Sequence, residues 1–253
     1  MLRDATRQDS GAEGRRSPRA AASSAARILR RIGSLLGLIA LVALASTGPA
    51  HGEGITNSGD DLRDGWYPEQ SSLTPQLVSG GTFGRLWSTP VEGAVYAQPL
   101  LANGTLLVAT ENNKVYGLNP ATGELRWPAL NLGVPWKAAD IGCGDLAPNI
   151  GVTATPVINP STNIAYLTHK TYESGSSGSA LWFMDAINLS TGTEVPGFPV
   201  HLGGTAQNAP GQTFQPTREL QRPGLLLMNG VVYAAFGADC DDTPWQGWVF
   251  GVS

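Results

Sequence analysis

Three histidines, three methionines and two cysteines are all that 253 residues offer in imidazole or sulfur ligands, and charged residues make up only 14% of the chain. A zinc site needs four ligands held close together, so two lone cysteines do not supply one. No Gly-x-Ser-x-Gly elbow, phosphate loop or dinucleotide fingerprint occurs, which removes the commonest nucleophile and nucleotide chemistries. No apolar run reaches the roughly 20 residues that a membrane-spanning helix needs. What is plentiful is glycine (32) and proline (18), on a background that is 42% hydrophobic. A chain of this size buries a substantial core. With few helix-forming charge runs, it reads as many short strands joined by tight turns.

The net charge of −4 hides an asymmetry. Up to Ala50, eight arginines face three acids, for +5; from His51 onward the balance is −9. The acidic part lacks the basic face that nucleic acid or anionic lipid demands, so neither is an expected partner. The basic part reads as an address. Arg30-Arg31 precedes an apolar run from Ile32 to Ala45, followed by small residues and Pro49. That length behind positive charge fits the core of a secretory signal. Cleavage after Ala45 and cleavage after Ala50 both fit, and Arg30 to Leu35 loosely resembles a twin-arginine signal. Residues 1–50 are therefore expected to be a signal peptide with a long basic leader, and the mature protein to be secreted or at the cell surface, with no membrane contact after cleavage. In an exported protein Cys143 and Cys240 are expected to pair, the other reading being two separate thiols.

Residues 51–82 read as an irregular lead-in, and from there strand-like runs begin. Ala97 to Leu101, Thr105 to Thr110, Lys114 to Leu118 and Glu124 to Trp127 are four short β-type runs separated by turn residues. Asn103-Gly104 is a hairpin signal, since both residues tolerate positive φ. Asn119-Pro120-Ala121-Thr122-Gly123 is a turn in which Pro sets φ and Gly relieves strain. The unit recurs from Ala154 to Gly192 and again from Arg222 to Ser253. Without insertions it spans about 40–45 residues, the range of propeller blades.

Gly117, Asn119, Thr122, Gly123 and Trp127 fill a pattern of small residue, Asn or Asp, Thr-Gly and Trp that resembles the repeat of pyrroloquinoline-quinone (PQQ)-type β-propellers. A second copy keeps Ala186, Asn188, Thr191 and Gly192 but has Pro196 in place of Trp, with Phe198 as a substitute. A third copy stops before its Thr-Gly turn. Leu86-Trp87-Ser88 resembles the closing strand of an earlier unit. The resemblance implies an all-β fold, with residues 83–253 forming an incomplete propeller of about three four-stranded antiparallel blades. It also implies that the Trp docks on the neighbouring blade. Three blades do not close a ring, so further blades beyond this chain are expected.

Quinoprotein dehydrogenases of this family bind PQQ and calcium and oxidise alcohols or sugars. The adjacent cysteines that several of them carry are absent, and no ligand set or base can be matched residue by residue. The acidic turn Asp239, Asp241 and Asp242 around Cys240 is the best candidate for calcium; Asp140 and Asp145 flank Cys143, so the disulfide would bring the two clusters together. His169-Lys170 reads as a surface pair. Arg222 is placed in a central funnel or in structural hydrogen bonding. Trp136, Trp182, Trp245 and Trp248 suit packing between blades, or stacking on a sugar or quinone. The first expectation for function is an exported, non-catalytic propeller that binds a protein or carbohydrate. The second is part of a PQQ- and calcium-dependent dehydrogenase.

Overall fold

A computed structural model describes residues 53–253, apart from Asp242, Pro244, Trp245 and the side chain of Glu69. The expected export segment lies outside the described residues. Among those described, no helix is long and apolar enough to cross a membrane. The fold is all-β and antiparallel, as expected, and its sheets are propeller blades.

In the first blade β1 (Leu100–Ala102), β2 (Thr105–Ala109), β3 (Lys114–Leu118) and β4 (Leu130–Asn131) lie side by side in chain order. Asn103 and Gly104 join β1 to β2 with φ of 48° and 70°, the left-handed pair that a two-residue hairpin requires. A ribbon of β5 (Trp136–Lys137) and β6 (Asn149–Ile150) precedes the second blade. That blade holds β7 (Val157–Asn159), β8 (Ile164–Ser174) and β9 (Ser177–Asn188), with β10 (Thr193–Glu194) and β11 (Val200–Leu202) sharing the far edge of β9. A second ribbon, β12 (Thr205–Ala206) with β13 (Ala209–Thr213), leads to the third blade. There β14 (Glu219–Leu220), β15 (Leu226–Met228), β16 (Val231–Ala238) and β17 (Trp248–Val252) gather around β16; Asn229-Gly230 forms the hairpin. The segment Gly175 to Gly178, expected as an insertion, is the tip of the long β8–β9 hairpin.

Blade 2 is covered on both faces. Leu107, Val115, Trp127, Leu167 and Ile187 pack together between blades 1 and 2. Trp182, Met184, Leu202, Leu220, Val232 and Phe236 pack between blades 2 and 3. Alternate residues of β8 and β9 therefore enter different interfaces, because successive side chains point to opposite faces of a strand.

Trp127 is 5% exposed and fastens blade 1 to blade 2. Its Nε1 donates to Leu189 O at 3.0 Å. The indole lies between Gly117 of its own blade and Gly192 of the next, and a Cβ at either would come within 2.3 Å of the ring. Trp87 repeats the contact one blade earlier. Its Nε1 donates to Pro120 O at 2.9 Å, and a Cβ on Gly123 would meet the ring at 2.4 Å. Pro120 and Leu189 each follow the Asn that opens the turn. Those two turns match in detail. Asn119 Oδ1 accepts from the N–H of Ala121 and Asn188 Oδ1 from that of Ser190, both at 2.9 Å, and the Asn carbonyls accept from Gly123 and Gly192 at 2.8 Å. Thr122 Oγ1 pairs with Glu124 and Thr191 Oγ1 with Thr193. Phe198 packs against Tyr166 of its own blade, with ring centroids 5.9 Å apart.

The lead-in is more than a tether. Gly54 pairs with Leu101 beside blade 1, Ile55 O accepts from Ile158 N at 2.7 Å in blade 2, and Thr56 Oγ1 donates to Leu225 O at 3.0 Å before blade 3. Arg63 adds two bonds to Gly224 O and Leu225 O. This segment thus crosses the first-strand edges of all three blades, and its Thr56 is fully buried. The one α-helix among the described residues, Pro75–Ser79, is capped by Thr74 and buries no residue.

Candidate binding face

Strand direction sorts the connections onto two ends. One end carries only tight turns: Asn103-Gly104, Asn119 to Gly123, Pro160 to Asn163, Leu189 to Gly192 and Asn229-Gly230. The other end carries every long connection: residues 132–156, the tip of the β8–β9 hairpin, residues 203–225 and residues 239–247. Elaborated loops on a rigid scaffold are where proteins place recognition, so this end is the candidate site.

Cys143 and Cys240 are joined, with Cα atoms 6.3 Å apart. The bond ties the connection between blades 1 and 2 to the loop that follows β16. Beside it lies a cleft of about 370 Å³ lined by Asp145, Leu146, Leu220, Arg222, Asp239 and Asp241. Arg222 therefore faces this cleft at the elaborated end. Asp145 stands close to both sulfurs, but sulfurs in a disulfide are not thiolate ligands.

Under the cleft sits a buried ion pair. Lys170 Nζ donates to Asp239 Oδ2 at 3.2 Å and to the carbonyls of Thr217 and Glu219 at 3.3 and 3.4 Å. The indoles of Trp136 and Trp182 hold the ammonium at 5.9 and 5.5 Å from their centroids. Burial pushes the Lys170 ammonium below its ordinary range, and the Asp239 charge opposes that. Burial raises the Asp239 carboxyl against the pull of Lys170.

This arrangement corrects one expectation and bears on another. His169-Lys170 is not a surface pair: His169 is 3% exposed and Lys170 0%. With both faces of β8 covered by neighbouring blades, each side chain needs an internal partner. His169 Nδ1 meets Asp185 Oδ2 at 2.6 Å on the opposite face of the strand from Lys170. Nor is Asp239 an open calcium ligand, since an ammonium already occupies the position a cation would take on it. Asp241 is exposed at φ 52°, and Asp242 lies outside the described residues. Trp136 and Trp182 turn their faces to Lys170, and Trp136 packs tilted against Tyr172 with ring centroids 4.4 Å apart. Neither is left to cover a planar quinone. Trp248 packs with Phe214 and Phe250 in the third blade, and Trp245 lies outside the described residues.

A second buried carboxylate follows β2. Glu111, 2% exposed, accepts from Gly151 N at 2.6 Å and from Thr153 Oγ1 at 3.1 Å. Burial raises its pKa to about 7 against those two hydrogen bonds. Ladder pairing shows why it lies inside. Leu107 pairs with Leu100, and Tyr166 with Val157, so Glu111 and Lys170 occupy equivalent places in successive blades. The signal in the sequence is a charged residue four positions beyond the paired one, but its partners are 40 to 69 residues away.

No family model matches the chain. Over 86 residues it is 30% identical to the outer membrane protein assembly factor BamB of Burkholderia pseudomallei (strain K96243). That match covers 32% of this chain and 23% of that protein. Among solved structures, BamB from Moraxella catarrhalis aligns with a TM-score of 0.38 at 14% identity, over 65% of this chain and 42% of that one. The chain spans less than half the length of the relatives it matches. The sequence likeness agrees with a propeller in general.

Proposed function

We propose that this chain is an exported, non-catalytic propeller segment with PQQ-like repeats that binds a partner protein through its elaborated end, in outer-membrane protein assembly. The observation that carries the reading is the gathering of all long connections at one end, with a disulfide holding two of them together. The local likeness to an outer membrane protein assembly factor supports the class of partner. The inward commitment of Lys170, Asp239, His169, Asp185 and Glu111 favours structural work for these groups over chemistry.

Photo-crosslinking in intact cell envelopes tests this. A crosslinker at Val134 or Glu173, on the elaborated end, is expected to capture an outer-membrane assembly component. One at Ser161 or Met228, on the plain end, is expected to capture none. Crosslinks from the plain end alone defeat the proposal. Dye reduction after loading with PQQ and Ca²⁺ is expected to be absent; turnover would restore the dehydrogenase reading.

A further inference from the structure

Asp145 is the neighbour that a pair of cysteines needs in order to hold a metal. Its carboxylate and the sulfurs of Cys143 and Cys240 lie within 4.8 Å of one another, although the two cysteines are 97 residues apart in the chain. All three sit on two loops of the elaborated end, with both cysteines partly open to solvent and Asp145 exposed. Sulfurs bonded to each other ligate nothing. Their polar surroundings, however, suit the reduced pair better than the oxidised one.

Two contacts carry this. Asp145 N donates to Cys143 Sγ at 3.4 Å. A hydrogen bond to a titrating group favours its charged form, here the thiolate, whereas a disulfide sulfur carries no charge for that bond to stabilise. Asp239 Oδ1 lies 3.5 Å from Cys240 Sγ. In the oxidised chain that sulfur has no hydrogen, so two acceptors face each other. A thiol at Cys240 donates to the same oxygen, and a cation on the sulfur offsets its charge. The other oxygen, Asp239 Oδ2, is committed to Lys170. Burial first, and the Asp145 charge in addition, raise the Asp239 carboxyl against the pull of Lys170. The two carboxylates therefore repel one another, and positive charge beside Asp145 relieves both.

The donor set selects the ion. Two thiolates with one carboxylate suit a borderline divalent cation such as Zn²⁺; Ca²⁺ asks for six to eight oxygens instead. Thiolates on a tetrahedral ion at about 2.3 Å stand roughly 3.8 Å apart, a spacing that side chains on Cα atoms 6.3 Å apart can adopt. The cleft of about 370 Å³ beside Asp145 and Cys240 gives an entry path and room for a water as the fourth ligand. Two cysteines alone do not make such a site; the fold adds the carboxylate.

We propose that Cys143, Cys240 and Asp145 form a metal site in the reduced chain, which takes one divalent cation of the zinc class in place of the disulfide. A dithiol reductant opens the bond: it gives two electrons and two protons to the cysteines and leaves as its own disulfide. The cation then displaces both thiol protons, so binding strengthens as pH rises. The ion ties the connection between blades 1 and 2 to the loop after β16, as the disulfide does, and the elaborated end stays cross-linked in either redox state. This site does not depend on the proposed capture of an assembly component.

The test is a Co²⁺ titration of the full chain, reduced with dithiothreitol and then freed of it under argon. A near-ultraviolet thiolate-to-cobalt band is expected to saturate at one ion per chain and to bleach when Zn²⁺ is added. The oxidised chain is expected to show no band. Asp145→Ala changes an exposed side chain and keeps both cysteines; it is expected to weaken Co²⁺ binding at least about tenfold. Zn²⁺ is expected to raise the melting temperature of the reduced parent and to leave that of reduced Asp145→Ala nearly unchanged. Where the metal-free reduced chain loses its fold, reduction in the presence of Zn²⁺ replaces the titration, with a folded parent and an unfolded Asp145→Ala as the expected pair. No band, a band of equal affinity in Asp145→Ala or in the urea-unfolded chain, or two proteins that Zn²⁺ fails to stabilise overturns the proposal.

Discussion

Lys170 Nζ donates to Asp239 Oδ2 at 3.2 Å with both side chains closed to solvent, and the two residues come from different blades. The pair therefore sets the register of blade 3 on blade 2. Removing one partner strands a buried charge, whereas removing both with apolar substitutes of similar volume is often neutral. Lys170→Met is expected to lower stability by about 3–5 kcal/mol. Lys170→Met combined with Asp239→Leu is expected to recover most of it. Urea unfolding monitored by tryptophan fluorescence measures both; equal losses in the single and double variants would show that the pair does not act as a unit.

Glu111 ties stability to pH. Its folded pKa is about 7 and its ordinary value 4.5. Between those values the folded chain holds a proton that the unfolded chain has released. Stability from this group is therefore complete below pH 4.5 and is lost as pH rises through 7. The loss amounts to at most about 3 kcal/mol. Glu111→Gln keeps an acceptor for Gly151 and Thr153 and cannot ionise. It is expected to match the parent at pH 5 and to exceed it at pH 8. Unfolding free energies of both proteins across that range give the difference, and a constant offset would rule the linkage out.

The blades were legible in the sequence because their signals are local. Asn-Gly hairpins and the Asn-to-Gly turns carry their own backbone requirements, so β2 and β3 fall within a residue of the expected runs, while β1 begins three residues later than its run. The fourth strand was less legible. Glu124 to Trp127 was expected to be a strand, but the chain makes only a bridge at Leu125 before pairing at Leu130–Asn131. Between them Trp127 turns toward the next blade, and a docked indole takes precedence over a regular ladder. Buried charge was not legible at all. The run Thr168-His169-Lys170-Thr171 has no apolar face, which reads as surface unless both sides of the strand are known to be covered. The reach of Gly54 to Arg63 across three blades is likewise a long-range fact, visible only once the first strands converge.

The Cys143–Cys240 bond closes a loop of 97 residues. In the chain-entropy model a loop of that size is worth up to about 4.7 kcal/mol. It holds the segment next to Asp239, so its loss also loosens the partner of Lys170. Replacing both cysteines with serine is expected to cost about 2–4 kcal/mol. In the Lys170→Met background the further loss should be smaller, because the loop no longer presents a needed charge. A double-mutant cycle in urea reads the coupling; strict additivity would mean that the disulfide and the ion pair act independently.

Trp127 and Trp87 make the same hydrogen bond to equivalent carbonyls but differ in what covers them. Trp127 has glycine on both sides and is almost fully buried, whereas Trp87 has glycine on one side. Trp127→Ala empties a closed seat and is expected to cost about 3–5 kcal/mol. Trp127→Phe keeps much of the ring but leaves Leu189 O without its donor, for about 1–3 kcal/mol. Trp87→Ala, measured in the single chain, is expected to cost less than Trp127→Ala, because solvent already reaches part of that ring. Thermal unfolding of the three variants at one protein concentration ranks them. If Trp87→Ala proved as damaging as Trp127→Ala in a monomer, the second glycine seat would contribute nothing, and the blade-to-blade lock would reside in the turn and its carbonyl alone.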